Sequence, residues 1–371
     1  MIDLHRDETY MTAALALGRR NLGRAAPNPA VGALVVRDGV IVGRGFTGIS
    51  GRPHAETMAL AEAGEAARGA TLYATLEPCS HHGATPPCVD AITARGVARV
   101  VTGMDDPDPR VAGRGHALLR AAGIEVATHV LEGEARRDHL GHTLRVTQGR
   151  PMVTLKLAQT PDGYAAGATH DQRLHITGPL ADSYTHMQRA LHDAVMVGAG
   201  TAREDDPLMT IRLPGMEDEK RLRVVLDSRL SLSPGSRLAT TAREIPTLLV
   251  VGQSVAMNEI EKFIAATGAE ILRVRTDLLG RVALDAALTE LGRRGVTRVF
   301  CEGGPRVAES LITGGLADEV IVHTGAKPFG GSGRLALRPA ARAVLEDERL
   351  YRLAETAQFG PDAMVRRERA A

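Results

Sequence analysis

Thr71-Leu72-Tyr73-Ala74-Thr75-Leu76-Glu77-Pro78-Cys79-Ser80-His81-His82-Gly83-Ala84-Thr85-Pro86-Pro87-Cys88 carries an apolar run into two cysteines nine positions apart. Ala70 to Leu76 reads as a strand, and Pro86-Pro87 opens a helix, because proline is tolerated in a first helical turn. Upstream, Pro53-His54-Ala55-Glu56 precedes a helix that starts near His54 and runs through Met58, Leu60 and Ala61. Strand and helix ends thus carry one imidazole and two thiols. Zinc takes such ligands tetrahedrally, and His54, Cys79 and Cys88 leave a fourth position open for water. The ion brings the pKa of that water towards neutrality. Glu56, two residues past His54, can face the water rather than the metal and pass its proton to a leaving amine. Zinc deaminases divide the labour in this way. Helix N-termini also favour thiolate over thiol.

Each residue alone has an ordinary explanation. A histidine on a helix is commonly a surface or satisfied core residue, a first-turn glutamate is commonly a capping charge, and two cysteines can simply be buried. The conjunction carries the chemistry: H-A-E at a helix start, P-C after a strand, then P-P-C opening a helix. Eight residues separate the cysteines instead of two, which adds His81, His82 and Thr85 as polar groups able to read a substituent on the substrate. Both histidines are placed outside the metal shell, because a fourth protein ligand would exclude the water.

Composition narrows the classes. At 371 residues the chain exceeds what one core ordinarily organises, and 44% hydrophobic with 24% charged residues supports a sizeable interior. Its 45 basic against 44 acidic residues leave a net charge of +1, so no strong field points to nucleic acid or membrane. Aromatics at 3% and the absence of Trp argue against a base-stacking platform. Three cysteines do not make a disulfide scaffold, and Cys301 reads as a small buried hydrophobe. The opening MIDLHRDETYMTAALALG lacks a basic n-region and no run approaches the roughly 20 apolar residues of a spanning helix, so the expected location is cytoplasmic.

The alternation of elements predicts two α/β domains, 1–147 and 150–371. In the first, a helix over 7–23 precedes a hairpin of 31–36 and 40–43 around the turn Asp38-Gly39. A strand over 97–103, a helix over 114–122 and a short strand over 124–127 follow the cysteines. The segment 142–151 loses apolar periodicity and reads as the boundary. In the second domain, strands are expected at 153–157, 194–197, 222–227, 247–251 and 299–302, with 319–323 last. Helices are clearest at 179–192, 281–293 and 305–313. No repeat or low-complexity tract is present.

Chemistry is fainter in the second domain. Phe300-Cys301-Glu302-Gly303-Gly304-Pro305 runs from a strand through glycines to a helix start, which offers free N–H groups to phosphate or is merely a tight turn. Gly198-Ala199-Gly200-Thr201-Ala202-Arg203 misses the dinucleotide fingerprint, with Arg203 at the third glycine. Lys156, in a lysine-poor chain, ends a strand as a solvated charge or a functional one.

Several stretches resemble the bifunctional riboflavin-biosynthesis deaminase/reductases: Pro27-Asn28-Pro29-Ala30-Val31-Gly32, Pro53 to Glu56, Thr75 to Gly83, Thr85 to Cys88, Asp106-Pro107 and Val111 to Gly115. The resemblance covers nearly the whole chain. It implies a cytidine-deaminase-like three-layer domain followed by a dihydrofolate-reductase-like α/β domain that uses NADPH. The first would remove the 2-amino group of a diaminopyrimidinone ribosylamine 5′-phosphate, with Asn28 touching the pyrimidine. The second would reduce the ribosyl carbon of the product to ribityl. Lys156 to Gly163, Gly198 to Arg212, Glu302 to Ser310 and Gly315 to Glu319 carry the likeness there. It implies cofactor contacts at Ala158, His175, Thr201, Asp205, Ser228, Gly304, Pro305, Arg306, Val307, Ala308, Glu309 and Ser310. Substrate contacts are implied at Lys156, Arg173, Arg189, Met209, Arg212 and Glu302, arginine being suited to a phosphate through its two-pronged donor set. The implied partners are a small pyrimidine ribosyl phosphate and further copies of the chain, with no nucleic acid or membrane.

Departures from the family cluster in one place. Arg173-Leu174-His175 stands where the family commonly has Ser-Gln-Trp, Thr160-Pro161 replaces a Ser-Leu pair, and Ala84 occupies a position that is basic in many relatives. Two rival readings remain distinct in kind. One is a nucleoside or tRNA deaminase with a C-terminal binding module, which the long cysteine spacing and scarce aromatics disfavour. The other is a non-catalytic zinc scaffold, which has no use for Glu56.

Overall fold

The computed structural model describes residues 4–81, 86–168, 174–256 and 259–370. The chain divides into two compact units, Met1–Arg150 with Gly295–Thr297, and Pro151–Arg294 with Arg298–Ala371.

The first unit is built on a five-stranded sheet. Its strands are β1 (Gly32–Arg37), β2 (Val40–Phe46), β3 (Thr71–Ala74), β4 (Arg99–Thr102) and β5 (Glu125–Ala127), in spatial order β2-β1-β3-β4-β5. The hairpin β1–β2 is antiparallel, β1 pairs antiparallel with β3, and β3, β4 and β5 are parallel. Both faces are covered, and two glycines show how closely. A Cβ on Gly32 would lie 1.8 Å from the Ala14 carbonyl oxygen in the helix Leu4–Arg19. On the other face, a Cβ on Gly45 would lie 1.9 Å from the Ala55 oxygen in the helix Ala55–Ala63. Alternation puts Leu34 and Val36 with Gly32, and Ala33 and Val35 with Gly45, all buried. Three layers result.

The second unit holds a nine-stranded sheet. Its strands are β6 (Met152–Gln159), β8 (Ala194–Gly198), β9 (Leu222–Leu226), β10 (Thr247–Gly252), β11 (Glu270–Val274), β12 (Arg298–Cys301), β13 (Glu319–Thr324), β15 (Tyr351–Phe359) and β16 (Asp362–Arg369). A separate pair, β7 (Tyr164–Gly167) and β14 (Gly333–Leu335), is antiparallel. The order β11-β10-β9-β8-β12-β6-β13 is parallel throughout, and β16 and β15 extend it antiparallel. Strands β8 and β10 are buried along their whole length, as a parallel sheet covered on both faces requires.

Several expectations change. The division between the units falls at Arg150/Pro151, inside the segment 142–151, but most of that segment is ordered: Leu140–Gln148 is a helix that buries Gly141, His142 and Leu144. Its buried stripe includes a histidine and a glycine, so apolar periodicity misses it. The strand 319–323 is not the last, because β14, β15 and β16 follow. The burial pattern of β15, mostly exposed, explains its silence in the sequence. Strand β11 also stands where no element was expected. Among the described residues, no helix is long and apolar enough to cross a membrane.

Candidate active sites

In the first unit the cluster forms where a strand and two helices meet. His54 is the N-cap of Ala55–Ala63, and Cys88 opens the helix Cys88–Ala94 with Pro87 as its N-cap. Cys79 follows β3 in irregular chain and accepts the Cys88 N–H at 3.3 Å. His54 Nδ1 lies 3.3 Å from Cys88 Sγ and 3.6 Å from Cys79 Sγ. All three ligand atoms fall within 4.8 Å of one another. A tetrahedral ion with Zn–S of about 2.3 Å and Zn–N of about 2.0 Å sets N and S about 3.5 Å apart, so the donor set fits zinc.

Glu56 is 4% exposed, in the first turn of the same helix. Burial, reinforced by the charge of Cys79, raises its carboxyl to about 7, against a side-chain contact with Cys88 that favours the anion. The two thiols are hydrogen-bonded to each other. The hydrogen bond from Cys88 holds Cys79 down at about 4, and the same bond with burial pushes Cys88 up. Cys79 and Cys88 would both serve as thiolates to a divalent cation held between them, which would remove that asymmetry.

Glu77 explains part of what surrounds the cluster. Its buried carboxylate accepts the N–H groups of Asp106 at 3.2 Å, Gly113 at 2.9 Å and His116 at 3.3 Å. The motif residues 106–115 are thereby tied to the chain two positions before Cys79. Asn28 donates through Nδ2 to the Gly51 carbonyl at 3.0 Å, three residues ahead of His54. Among the loop residues, His81 is placed with Nδ1 buried and without a partner among the described residues. His82, Ala84 and Thr85 lie outside the described residues.

In the second unit one cleft of ≈ 1970 Å³ opens at the carboxyl ends of β6, β8, β9 and β12. That end of an open parallel sheet is where such folds bind ligands. Lys156, Ala158, Arg189, Thr201, Asp205, Met209, Ser228, Glu302, Gly304, Pro305, Arg306, Val307 and Ser310 line it. Four other expected residues, Ala308, Glu309, His175 and Arg212, are not among those that line it. Ala308 is fully buried, and Glu309 pairs with Arg338 at 2.5 Å. The run 304–310 is contiguous in sequence, but a helix turns only one stripe towards a cleft. His175 and Arg212 are exposed and are not among the lining residues. Arg173 lies outside the described residues.

Electrostatics at the cleft centre on three charges, the ion pair Arg189–Glu302 and the nearby Lys156. Arg189 donates from Nε and Nη2 to Glu302 at 2.6 and 2.9 Å, and from Nη1 to the Thr210 carbonyl at 2.6 Å. Burial lowers the Lys156 ammonium, opposed by Glu302. Sequence reasoning missed the arginines of the rim, Arg229, Arg275, Arg281, Arg334 and Arg338. Arg229 was the most accessible of them, directly after Ser228 at a strand end. Motif Asp162 holds the loop at Phe329 and Gly330 through their N–H groups, at 3.0 and 2.9 Å.

Comparison with known proteins agrees with this arrangement in both units. Residues 4–104 match the cytidine and deoxycytidylate deaminase zinc-binding region, and residues 151–365 match the RibD C-terminal domain. Riboflavin biosynthesis protein RibD of Escherichia coli is 36% identical over 97% of this chain and 98% of its own. The structure of Acinetobacter baumannii RibD superposes with a TM-score of 0.86 at 30% identity, covering both chains fully. A diaminohydroxyphosphoribosylaminopyrimidine deaminase/5-amino-6-(5-phosphoribosylamino)uracil reductase from Thermotoga maritima gives 0.83 at 33% identity, over 99% of each chain. A zinc-binding region around His54, Cys79 and Cys88, a reductase cleft on a second sheet, and likeness along the whole length together place the chain in the bifunctional deaminase/reductase family of riboflavin biosynthesis.

Proposed function

We propose that the first unit removes the 2-amino group of 2,5-diamino-6-(5-phosphoribosylamino)pyrimidin-4(3H)-one. The second then reduces the ribosyl group of 5-amino-6-(5-phosphoribosylamino)uracil to ribityl with NADPH. The observation that carries the first step is the meeting of three zinc-type ligand atoms beside a buried carboxyl. Zinc held by His54, Cys79 and Cys88 supplies a Lewis acid and an acidified water. Glu56, poised near neutrality, takes the proton from the attacking water and returns it to the departing ammonia. Asn28, steadied by Gly51, presents its amide oxygen to the pyrimidine edge.

For the second step the support is the cleft, whose ≈ 1970 Å³ exceeds the roughly 300–1,000 Å³ of a single-ligand pocket and leaves room for cofactor and substrate together. Gly304 to Ser310 presents a helix start to a phosphate. Ala158, Thr201, Asp205 and Ser228 line the cofactor side. Lys156 and Glu302 face the sugar, where a buried cation is placed to meet the ring oxygen as it opens. With a net charge of +1 and Trp absent, a small phosphorylated pyrimidine suits the chain better than nucleic acid.

The test is one assay series on the full chain: zinc content, ammonia release from the diamino substrate, and NADPH oxidation with its deaminated product. Glu56→Ala should keep zinc and stop ammonia release; ammonia at the wild-type rate would refute the mechanism. Failure of the wild type to oxidise NADPH would leave a deaminase alone.

A further inference from the structure

Arg223, the second residue of β9, is completely buried. Its guanidinium donates to oxygens from three stretches of chain. Nε and Nη2 reach Thr247 Oγ1 at 3.0 and 2.6 Å, and Nη1 reaches Thr241 Oγ1 at 2.8 Å. Nη2 also meets the carbonyls of Leu238 and Ile245 at 3.0 and 3.1 Å, and Nη1 that of Leu208 at 3.3 Å. No carboxylate of the described residues pairs with it, and burial alone brings its pKa down to about 10.

A buried charge without a counter-ion is a poor device for stability. Its desolvation costs several kcal/mol, and apolar side chains of similar volume commonly do as well. What Arg223 grips is more informative. The Leu208 carbonyl lies between Asp206 at φ 39° and Met209 at φ 53°, two non-glycine residues in the left-handed region. Such residues are strained and persist only where the surroundings over-determine them. The same segment carries Asp205, Pro207 and Met209 to the cleft wall. Its other anchors converge on the same place. Asp206 Oδ1 accepts the Arg237 N–H at 2.8 Å, at the start of the short helix whose Leu238 carbonyl Arg223 also holds. Arg189 secures the next carbonyl but one, Thr210.

We propose that Arg223 is a positioning residue of the reductase site. It touches neither cofactor nor substrate, but holds the segment Asp205–Met209 in the strained form that shapes the cleft for both. The inference rests on the reading of this cleft as the NADPH-dependent reductase site.

The test uses the full chain as wild type, Arg223→Lys and Arg223→Met. Four quantities are read: ammonia release, the Kd for NADPH, the KM and kcat of NADPH oxidation with the deaminated pyrimidine, and amide hydrogen exchange. Ammonia release should stay within twofold of wild type. In Arg223→Met the Kd or KM should rise at least tenfold with kcat within threefold, and Arg223→Lys should recover part of that loss. Amides of residues 205–210 should exchange at least tenfold faster while those of β9 and β10 hold. Unchanged Kd and KM, or exchange rising as much in β9 and β10 as in 205–210, overturns the proposal and leaves Arg223 a core clamp. If Arg223→Met does not fold, Arg223→Lys carries the same readouts with the same consequences. If wild type does not bind NADPH, the reductase reading fails, and hydrogen exchange alone decides whether Arg223 holds the segment.

Discussion

Arg189 and Glu302 face each other fork to fork, Nε to Oε1 at 2.6 Å and Nη2 to Oε2 at 2.9 Å, with side chains only 10% and 17% exposed. The guanidinium is therefore already satisfied by protein, and its first effect is to fix the carboxylate at the cleft. Arg189→Met should strand Glu302 as a buried charge and cost about 3–5 kcal/mol. Adding Glu302→Leu should restore most of that stability without restoring NADPH oxidation. Urea denaturation of wild type, both single variants and the double variant measures the coupling; a cost below about 1 kcal/mol for Arg189→Met would refute it.

Gly45 is where the sheet meets the helix that carries Glu56. A Cβ there would fall 1.9 Å from the Ala55 oxygen and 2.7 Å from the Ala59 nitrogen, both backbone atoms. Gly45→Ala must push the helix, costing about 1–3 kcal/mol and weakening zinc binding at least tenfold. Gly133→Ala, in the helix Glu132–Asp138 with open space around the added carbon, serves as the control and should leave both unchanged or slightly improved. Chelator competition read alongside thermal unfolding separates the two variants.

Thiol reactivity reports on the metal centre. Cys88 and Cys301 are buried, whereas Cys79 is half-buried. Metal-free protein should therefore show one fast-reacting thiol, and zinc should protect it. A colorimetric thiol titration with and without one equivalent of zinc checks this. Three equally fast thiols in the metal-free chain would contradict the placement of Cys88 and Cys301.

His323 predicts an acid dependence of stability. It is fully buried, both ring nitrogens lack partners among the described residues, and its ring lies 5.7 Å from those of Tyr184 and Phe359. Burial first, then the charge of Lys156, lowers its pKa to about 4, opposed by Asp362 and Asp182. The unfolded chain takes up this proton below about pH 6.5, and the folded chain does not until about pH 4. The histidine therefore contributes fully above pH 6.5, and folding loses up to about 1.4 kcal/mol per pH unit as pH falls through that window. His323→Leu should gain on wild type over the same range and run parallel to it above pH 6.5. Urea midpoints at pH 7.5, 6.5, 5.5 and 4.5 give the comparison; a constant difference would exclude the effect.

Local sequence was sufficient for the metal centre and for most strands. His54, Glu56, Cys79 and Cys88 stand at element ends whose signals are short-range: proline in a first turn, a strand closing on Glu-Pro, an apolar run of seven residues. Fully buried strands such as β8 and β10 announce themselves by composition, because both faces must be apolar. The helix Leu140–Gln148 and the hairpin β15–β16 were hidden for the opposite reason. One buries a histidine and a glycine, and the other lies at the sheet edge with most of one strand in solvent, so neither shows a clean period.

The cleft of the second unit could not be read in the same way. Which residues of 304–310 face a ligand depends on the rotation of one helix, and it sends Arg306, Val307 and Ser310 to the cleft but Ala308 into the core. That Arg189 meets Glu302, 113 positions away, depends on a helix and a strand end being brought together by the sheet order. Arg223 reads in sequence as one more charge in a strand; only packing shows it buried among six hydrogen bonds with no acid of the described residues beside it. His54, Cys79 and Cys88 pointed to the zinc-binding deaminase region by themselves, since ligand type and spacing are properties of the chain. The reductase cleft was decided by tertiary structure, since its chemistry comes from side chains that the sequence keeps far apart.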